Sequence, residues 1–461
     1  MLENILEGME VCFDDSAQSI LRSQENRERR VVLEQGVLVT NVRSEERGVC
    51  AKVYKNGVNG FASMAQYDKE AAQQVLKAAT ENASYLRKYA KREKPMFPAL
   101  PKEMVNSERF IIDFEQKKIV DLCKEVDDYI VKNCPRITGR RVLYHEDTME
   151  KYILTSDASK GHVAYPRTKV MIVLRMEALD GSTVELFNGV SGFGHMDDNY
   201  ADRSVLFKKV DEIYKKLCDK AEGVYAEAGY KTVILDPNVA GMIAHEAIGH
   251  TVEADLVLGG SVAGSNLNKQ VASEMVSIVD YAHTYNGKRA PLPVYLDDEG
   301  VKAKDAILVE NGILKGYMHN RESALHFGVD VTGNARGNLF SDEPLIRMRN
   351  TAVLPGKDKL QDMIASVEDG YYLLNTGNGQ ADLTGEFMFG ITCGYEIKNG
   401  KLGRGILDTT VSGIAFDVLK TVDMMSDEVT WHAGGTCGKI QNMPVAMGGP
   451  AIKCKINIGG R

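Results

Sequence analysis

Apolar and polar positions alternate through much of the first part of the chain, and two-residue turns punctuate the alternation. The run VVLEQGVLVTNV (31–42) breaks at Gln35-Gly36, and GVCAKVYKNGVNGFASM (48–64) breaks at Asn56-Gly57. Both breaks predict tight β-hairpins, Asn-Gly being a strong hairpin pair. The mixed segment 8–29 reads as a helix. Asp68 opens a strongly amphipathic helix, KEAAQQVLKAATENASYLRKYA, and a second helix is expected from Phe114 to Asn133. Between them KPMFPALPKE (94–103) has the proline content of a linker or extended arm. Strands are expected around 138–147, 150–156, 161–177 and 183–193, then a helix over roughly 200–229. Helices segregated from antiparallel strands indicate an α+β arrangement rather than a βαβ repeat.

After Gly229 the pattern changes. KTVILD predicts a short strand, and Asp236-Pro237 is a helix start, with Asp as N-cap and Pro at the first helical position. Beyond residue 270 short β-runs broken by glycine and proline dominate, with helices expected only at 358–368 and around 412–424. The fold class is therefore α+β. An N-terminal α/β lobe with an antiparallel sheet and helices (1–226) precedes a C-terminal β-rich lobe (227–461) with one prominent helix.

Composition narrows the function classes. The 461 residues are 44% hydrophobic and 26% charged, as in ordinary globular proteins. The acidic N-terminal segment has no long apolar run, so no signal peptide is expected, and no eighteen-residue apolar stretch predicts a membrane span. Eight cysteines without close pairs fit a reduced, cytoplasmic setting. The net charge of −8, with basic residues interleaved among acidic ones, argues against direct nucleic-acid binding. The basic run RKYAKREK (87–94) reads as the solvated end of a helix.

Candidate chemistry is concentrated in HEAIGH (245–250), inside the helix that Asp236 opens. Histidine is the commonest metal ligand, and a carboxylate beside a metal-bound water is the usual proton acceptor. The zinc-peptidase motif H-E-x-x-H spaces its histidines four apart, on one helical face. His245 and His250 are five apart, which in a regular α-helix leaves them about 140° apart around the axis. A local widening toward roughly 4.4 residues per turn would align them, and Gly249 is the expected point where the helix yields. A catalytic zinc takes three protein ligands and leaves one position to water. The residues leave the third open among Cys437, flanked by glycines in HAGGTCGKIQNMPV, His432 and Cys454. Glu253 and Asp255 are candidates to orient a ligand imidazole, while Asp297-Asp298-Glu299-Gly300 reads as an acidic turn. His283, His319 and His326 read as ordinary histidines that could at most steady a reaction intermediate.

The chain closely resembles the TldD/PmbA family, the modulators of DNA gyrase, and within it the TldD branch with its H-E-x-x-x-H motif. The strings that carry the resemblance run almost end to end: GVCAKVYKNGVNGFAS, HEAIGHTVEADL, YLDDEGVKAKDAILVENGILKGYMHNR, DVTGNARG, GNGQADLTGEFMF and GGTCGKIQNMPVAMGGPAIKCKINIGG. The resemblance implies a zinc-dependent metallopeptidase acting on short or unfolded polypeptides. It implies zinc ligation by His245, His250 and Cys437, the cysteine of GTCGK, with Glu246 as general base on a zinc-bound water. It also implies a dimer, with a PmbA-type partner chain or with itself. Alternative readings are a non-enzymatic scaffold with a structural zinc, or an indirect regulator of gyrase.

Overall fold

The structure, a computed structural model, describes residues 2–90, 94–107 and 115–459. Seven strands form the first sheet: β1 (Gln18–Glu34), β2 (Val37–Lys55), β3 (Val58–Met64), β4 (Met104–Asn106), β5 (Ile137–Thr155), β6 (Lys160–Glu177) and β7 (Thr183–Phe193). Their order is β3-β2-β1-β5-β6, with β4 and β7 both pairing with β6, and only the β4–β6 pair is parallel. Both expected hairpin turns are present, and all four turn residues, Gln35, Gly36, Asn56 and Gly57, have positive φ.

Helices cover this sheet as the periodicity requires. Asp68 accepts a hydrogen bond from the Ala71 N–H and caps the helix Lys69–Leu86. Ala71, Val75, Ala79 and Ala83 of that helix are buried in a cluster with Val49, Ala51 and Val53 of β2. At Gly60 of β3 a Cβ would lie 2.1 Å from the Ala79 carbonyl oxygen, so helix and strand meet this closely only because the residue is glycine. The helices Gln116–Asn133 and Ser204–Ala221 bury Ile119, Val126, Val210 and Leu217 with Val142, Val170 and Leu174 of the sheet.

Several expectations need correction. The helix expected at 8–29 is instead a 3-10 turn, Met9–Cys12, followed by β1. The polar side chains of β1 that mimic a solvated helix are buried against the second half of the chain. Arg22 donates to the carbonyls of Leu339 and Asp342, and Gln24 and Asn26 donate to that of Asn338. The two strands expected within 138–156 are one 19-residue strand, β5. The helix expected to reach residue 229 ends at Ala221. A 3-10 turn, Arg87–Tyr89, begins the basic run; residues 91–93 of that run, and Phe114, lie outside the described residues. The Pro-rich segment is an extended arm, anchored where Phe97 stacks on Tyr54 at 3.9 Å and exchanges two hydrogen bonds with the Gln18 side chain.

In the second half, β8 (Gly229–Leu235) begins a ring of five strands. It pairs with Asp369–Ala381 and with Ile452–Ile458, and Glu386–Lys398 and Thr409–Ile414 close the ring between those two. A separate six-stranded sheet runs in the order Ile313–Leu314, Ala306–Glu310, Ile278–Tyr281, Asn350–Val353, Gln441–Gly449, Thr430–Lys439. The helical segment after β8 packs between ring and sheet, sharing one core with Leu235, Phe389, Val411, Ile456, Ile278 and Val445. Expected helices shrink to Leu360–Ala365 and Ala415–Lys420, and Arg321–Phe327 is an additional one. The Asp297–Glu299 turn is not solvated: all three carboxylates are buried where the two halves meet. No helix among the described residues is long and apolar enough to cross a membrane, and all eight cysteines are free thiols.

Candidate metal centre

Asp236 accepts a hydrogen bond from the Val239 N–H at 2.9 Å, with Pro237 at the first helical position, so the helix starts where the sequence places it. Regular α-helix lasts only from Pro237 to Met242. Ile243–Gly249 is π-helix, and the His250 N–H donates to the carbonyl of His245, five residues back. That wider turn brings the two imidazoles together, with ring centroids 5.3 Å apart. The helix widens as the spacing requires, but Gly249 is not strained: its φ of −52° and ψ of −51° are ordinary helical values. Glycine is needed there because a Cβ would lie 2.0 Å from the Met348 sulfur.

Cys437 reaches the same point from the antiparallel hairpin Thr430–Lys439/Gln441–Gly449. Its sulfur is 3.2 Å from Nε2 of His250, and one donor atom from each of His245, His250 and Cys437 lies within 4.8 Å of the others. A buried guanidinium holds this hairpin: Arg347 donates to the carbonyls of Cys437 and Gln441, each at 2.7 Å. Nothing in the sequence around Arg347 marks it, since its partners are some ninety residues away.

Around the cluster, Glu253 Oε2 lies 2.9 Å from His250 Nδ1 and leaves Nε2 facing the sulfur. Asp255, the other candidate for that role, pairs with Lys439 at 2.7 Å, and the same ammonium lies 3.3 Å from Glu253. The Glu246 carboxylate is 3.6 Å from Nε2 of His250 and opens onto a cleft. Burial pushes the Cys437 thiol up, but the two neighbouring imidazoles outweigh it and bring the thiol down to about 4. Burial likewise opposes the charge on His250, yet the Cys437 sulfur and Glu253 hold it well above the usual imidazole range. Both shifts favour an anionic sulfur, the form of cysteine that binds a cation. Both ring nitrogens of His245 are buried without a hydrogen-bond partner among the described residues, and a metal bond would satisfy one of them.

The remaining sequence candidates stand apart from the cluster. Cys454 sits in the core of the strand ring, where burial pushes its thiol up to about 12. His432 lines the cleft wall. His283 stacks on Tyr295, and His319 pairs with the Ser323 hydroxyl. The cleft has a volume of about 350 Å³, with Lys169, Met171, Phe187 and Ser191 of the first sheet facing His245 and Glu246.

Two imidazoles and a thiol beside a carboxylate that opens onto a cleft are a donor set of the kind metallopeptidases use. The comparisons give the class of protein. The PmbA/TldA metallopeptidase C-terminal domain matches residues 228–460, and the PmbA/TldA metallopeptidase domain 1 matches residues 21–83. A zinc metalloprotease TldD homolog of Saccharolobus solfataricus is 31% identical over 75% of this chain and 76% of its own length. A metalloprotease of Archaeoglobus fulgidus is 30% identical over 95% of this chain and 99% of its own length. A metalloprotease TldD homolog of Buchnera aphidicola is 41% identical over 51% of this chain, a match that spans only 49% of that relative. The fold is that of TldE from Thermococcus kodakarensis, with a TM-score of 0.78 at 16% identity over 98% of both chains. The chain belongs to the PmbA/TldD metallopeptidase family.

Proposed function

We propose that this chain is a zinc-dependent peptidase acting on short or unfolded polypeptides, with His245, His250 and Cys437 holding the metal and Glu246 as general base. The observation that carries the reading is the convergence of three donor atoms within 4.8 Å beside the cleft-facing Glu246. Two imidazoles and a thiolate suit zinc, and the Saccharolobus relative is named a zinc metalloprotease. Zinc, when bound, supplies Lewis acidity and brings the pKa of a coordinated water toward about 7.

The chain's own groups do the rest. Glu246 accepts the proton of the attacking water on its carboxylate and returns it to the leaving amine. Glu253 occupies Nδ1 of His250, which fixes the ring and leaves Nε2 for the metal. Among the described residues β7 pairs only with β6, and residues 187–191 of β7 line the cleft. An extended polypeptide could add to that edge through backbone hydrogen bonds, which suits cleavage tolerant of sequence.

A structural zinc would close all four positions with protein ligands. Among the described residues the cluster offers three, which favours the enzyme over the scaffold. A dimer, with a PmbA-type partner or a second copy, is part of the same proposal, as are the division at 226/227, the cytoplasmic setting and an indirect link to gyrase.

Metal analysis and peptide cleavage on one set of variants test it. Glu246→Ala is expected to retain zinc and lose at least about a hundredfold in cleavage rate. Cys437→Ala should lose zinc, whereas Cys454→Ala should keep it. Normal cleavage by Glu246→Ala, or normal zinc in Cys437→Ala, defeats the assignment.

A further inference from the structure

A second cavity, of about 320 Å³, adjoins the metal cleft on the same sheet face. Tyr165 and Arg167 of β6 line it, while Lys169 and Met171, the next positions on that face of β6, line the cleft. Together the four span roughly 20 Å at about 3.3 Å per residue. Thr436, the neighbour of Cys437, borders both spaces. Cleft and cavity are therefore consecutive along one strand face and share a wall.

Arg336 lines the second cavity, on the short strand Ala335–Arg336. It is only 5% exposed, and among the described residues its one side-chain hydrogen bond runs from Nη1 to the Met348 carbonyl at 2.6 Å. No carboxylate among the described residues lies within ion-pair distance of it; of the three that line the cavity, Glu46 is exposed, and Asp147 and Glu28 sit against other groups. Arg167 takes Asp147 through two hydrogen bonds, and His145 meets Glu28 at 3.0 Å. Arg22 and Lys151 share Asp298, and Arg349 holds Asp280. Among the described residues the Arg347 side chain likewise has only carbonyl partners. Burial pushes the Arg336 guanidinium down to about 10, so it remains charged at neutral pH. An unpaired buried charge is costly, and a guanidinium fork matches a carboxylate with two parallel hydrogen bonds.

We propose that Arg336 binds a carboxylate of the peptide substrate in this second cavity. The inference rests on the peptidase reading and adds a substrate preference to it. Arg167, which donates to the Gly435 carbonyl at 2.6 Å, and Lys169 lie on either side of the boundary between the two spaces. A chain crossing it along the strand would set the carboxylate on the order of two to four residues from the bond cleaved. A peptide can present that group from its C-terminus or from an Asp or Glu side chain, and the anchor is the same chemistry in either case.

The test is binding of fluorescein-labelled alanine/serine hexapeptides to the full-length, zinc-loaded Glu246→Gln protein, followed by anisotropy. Mass spectrometry checks that the peptides stay intact. Three probes are compared: one with a free C-terminus, its C-terminal amide, and a set of amidated peptides carrying Glu or Gln at each position. Either the free acid over the amide, or Glu over Gln at one position, is expected to bind about tenfold or more tightly. Whichever contrast appears names the source of the carboxylate. Arg336→Gln should abolish the contrast, and Arg336→Lys should restore part of it. Equal binding of acid and amide together with equal binding of Glu and Gln throughout overturns the proposal without using any Arg336 variant. A contrast that survives in folded Arg336→Gln overturns it too. Cleavage of the probes by the Glu246→Gln protein would instead count against the role of Glu246, which separates the two failures.

Discussion

Gly249 is where the candidate metal centre meets the packing of the second half of the chain. A methyl group there would lie 2.0 Å from the Met348 sulfur and 3.3 Å from the Ala244 carbonyl oxygen. Methionine is adaptable, so the sulfur would move, at a cost of about 1–3 kcal/mol for overpacking. His250 is the next residue, and its 3.2 Å approach to Cys437 would be disturbed. Gly249→Ala is therefore expected to lower unfolding free energy by that amount and to weaken zinc retention against a chelator. Adding Met348→Ala should recover part of the zinc retention, read as a non-additive double-mutant cycle. Strict additivity would show that the clash with Met348 is not why glycine is required. The sequence marks Gly249 as special, but for backbone freedom; the steric reason depends on a residue 99 positions away (348 − 249).

The widened helix is set by two local features and one distant demand. Its start is local: the buried Asp236 carboxylate caps the Val239 N–H. Asp236→Ala should cost about 0.5–2 kcal/mol in urea unfolding, while Asp236→Asn, which keeps a capping oxygen, should cost clearly less. Equal losses would mean that charge or packing, not the cap, is what matters. Its pitch is legible as well, since histidines five apart cannot share a face of a regular helix and the backbone shows the five-residue hydrogen bond. The identity of the third converging group was not legible from spacing, because Cys437 is 187 residues from His250 and reaches it through a hairpin held by Arg347. β1 shows the opposite failure. Its polar stretch fits a solvated helix until the surface that buries it is known.

Across the whole molecule, buried charge joins the two halves. Asp298 meets Arg22 at 2.8 Å and Lys151 at 2.6 Å, and Glu299 meets Lys52 at 3.0 Å. Burial pushes Asp298 and Lys151 toward neutrality. At Asp298 two cations reverse that and hold the carboxyl below its usual range, whereas Lys151, which shares its one carboxylate with Arg22, falls to about 8. A carboxyl with a depressed folded-state pKa contributes stability that is present above its unfolded value of 3.8 and lost as pH falls through the folded value. Asp298→Asn leaves two buried cations short of a partner, at an expected cost of about 3–5 kcal/mol at pH 7. The difference in stability between wild type and variant should shrink as pH drops below about 4. Urea unfolding of both proteins between pH 7 and pH 3 checks this, and a difference that is small at pH 7 or constant with pH counts against the ion-pair account.

Local chemistry made the hairpins at Gln35-Gly36 and Asn56-Gly57, the caps at Asp68 and Asp236 and the need for a widened turn between His245 and His250 readable from the chain. Each depends on residues within about five positions of one another, where backbone sterics and capping hydrogen bonds decide the outcome. Other features were settled only by folding. Glu253 rather than Asp255 turns toward His250, while Lys439 lies between the two carboxylates, 3.3 Å from Glu253 and 2.7 Å from Asp255. The Asp297–Glu299 turn, polar enough for the surface, is buried because Lys52, Arg22 and Lys151 arrive from the first sheet. A charge can be buried only where its partner also is, and here the partners come from strands more than a hundred residues away.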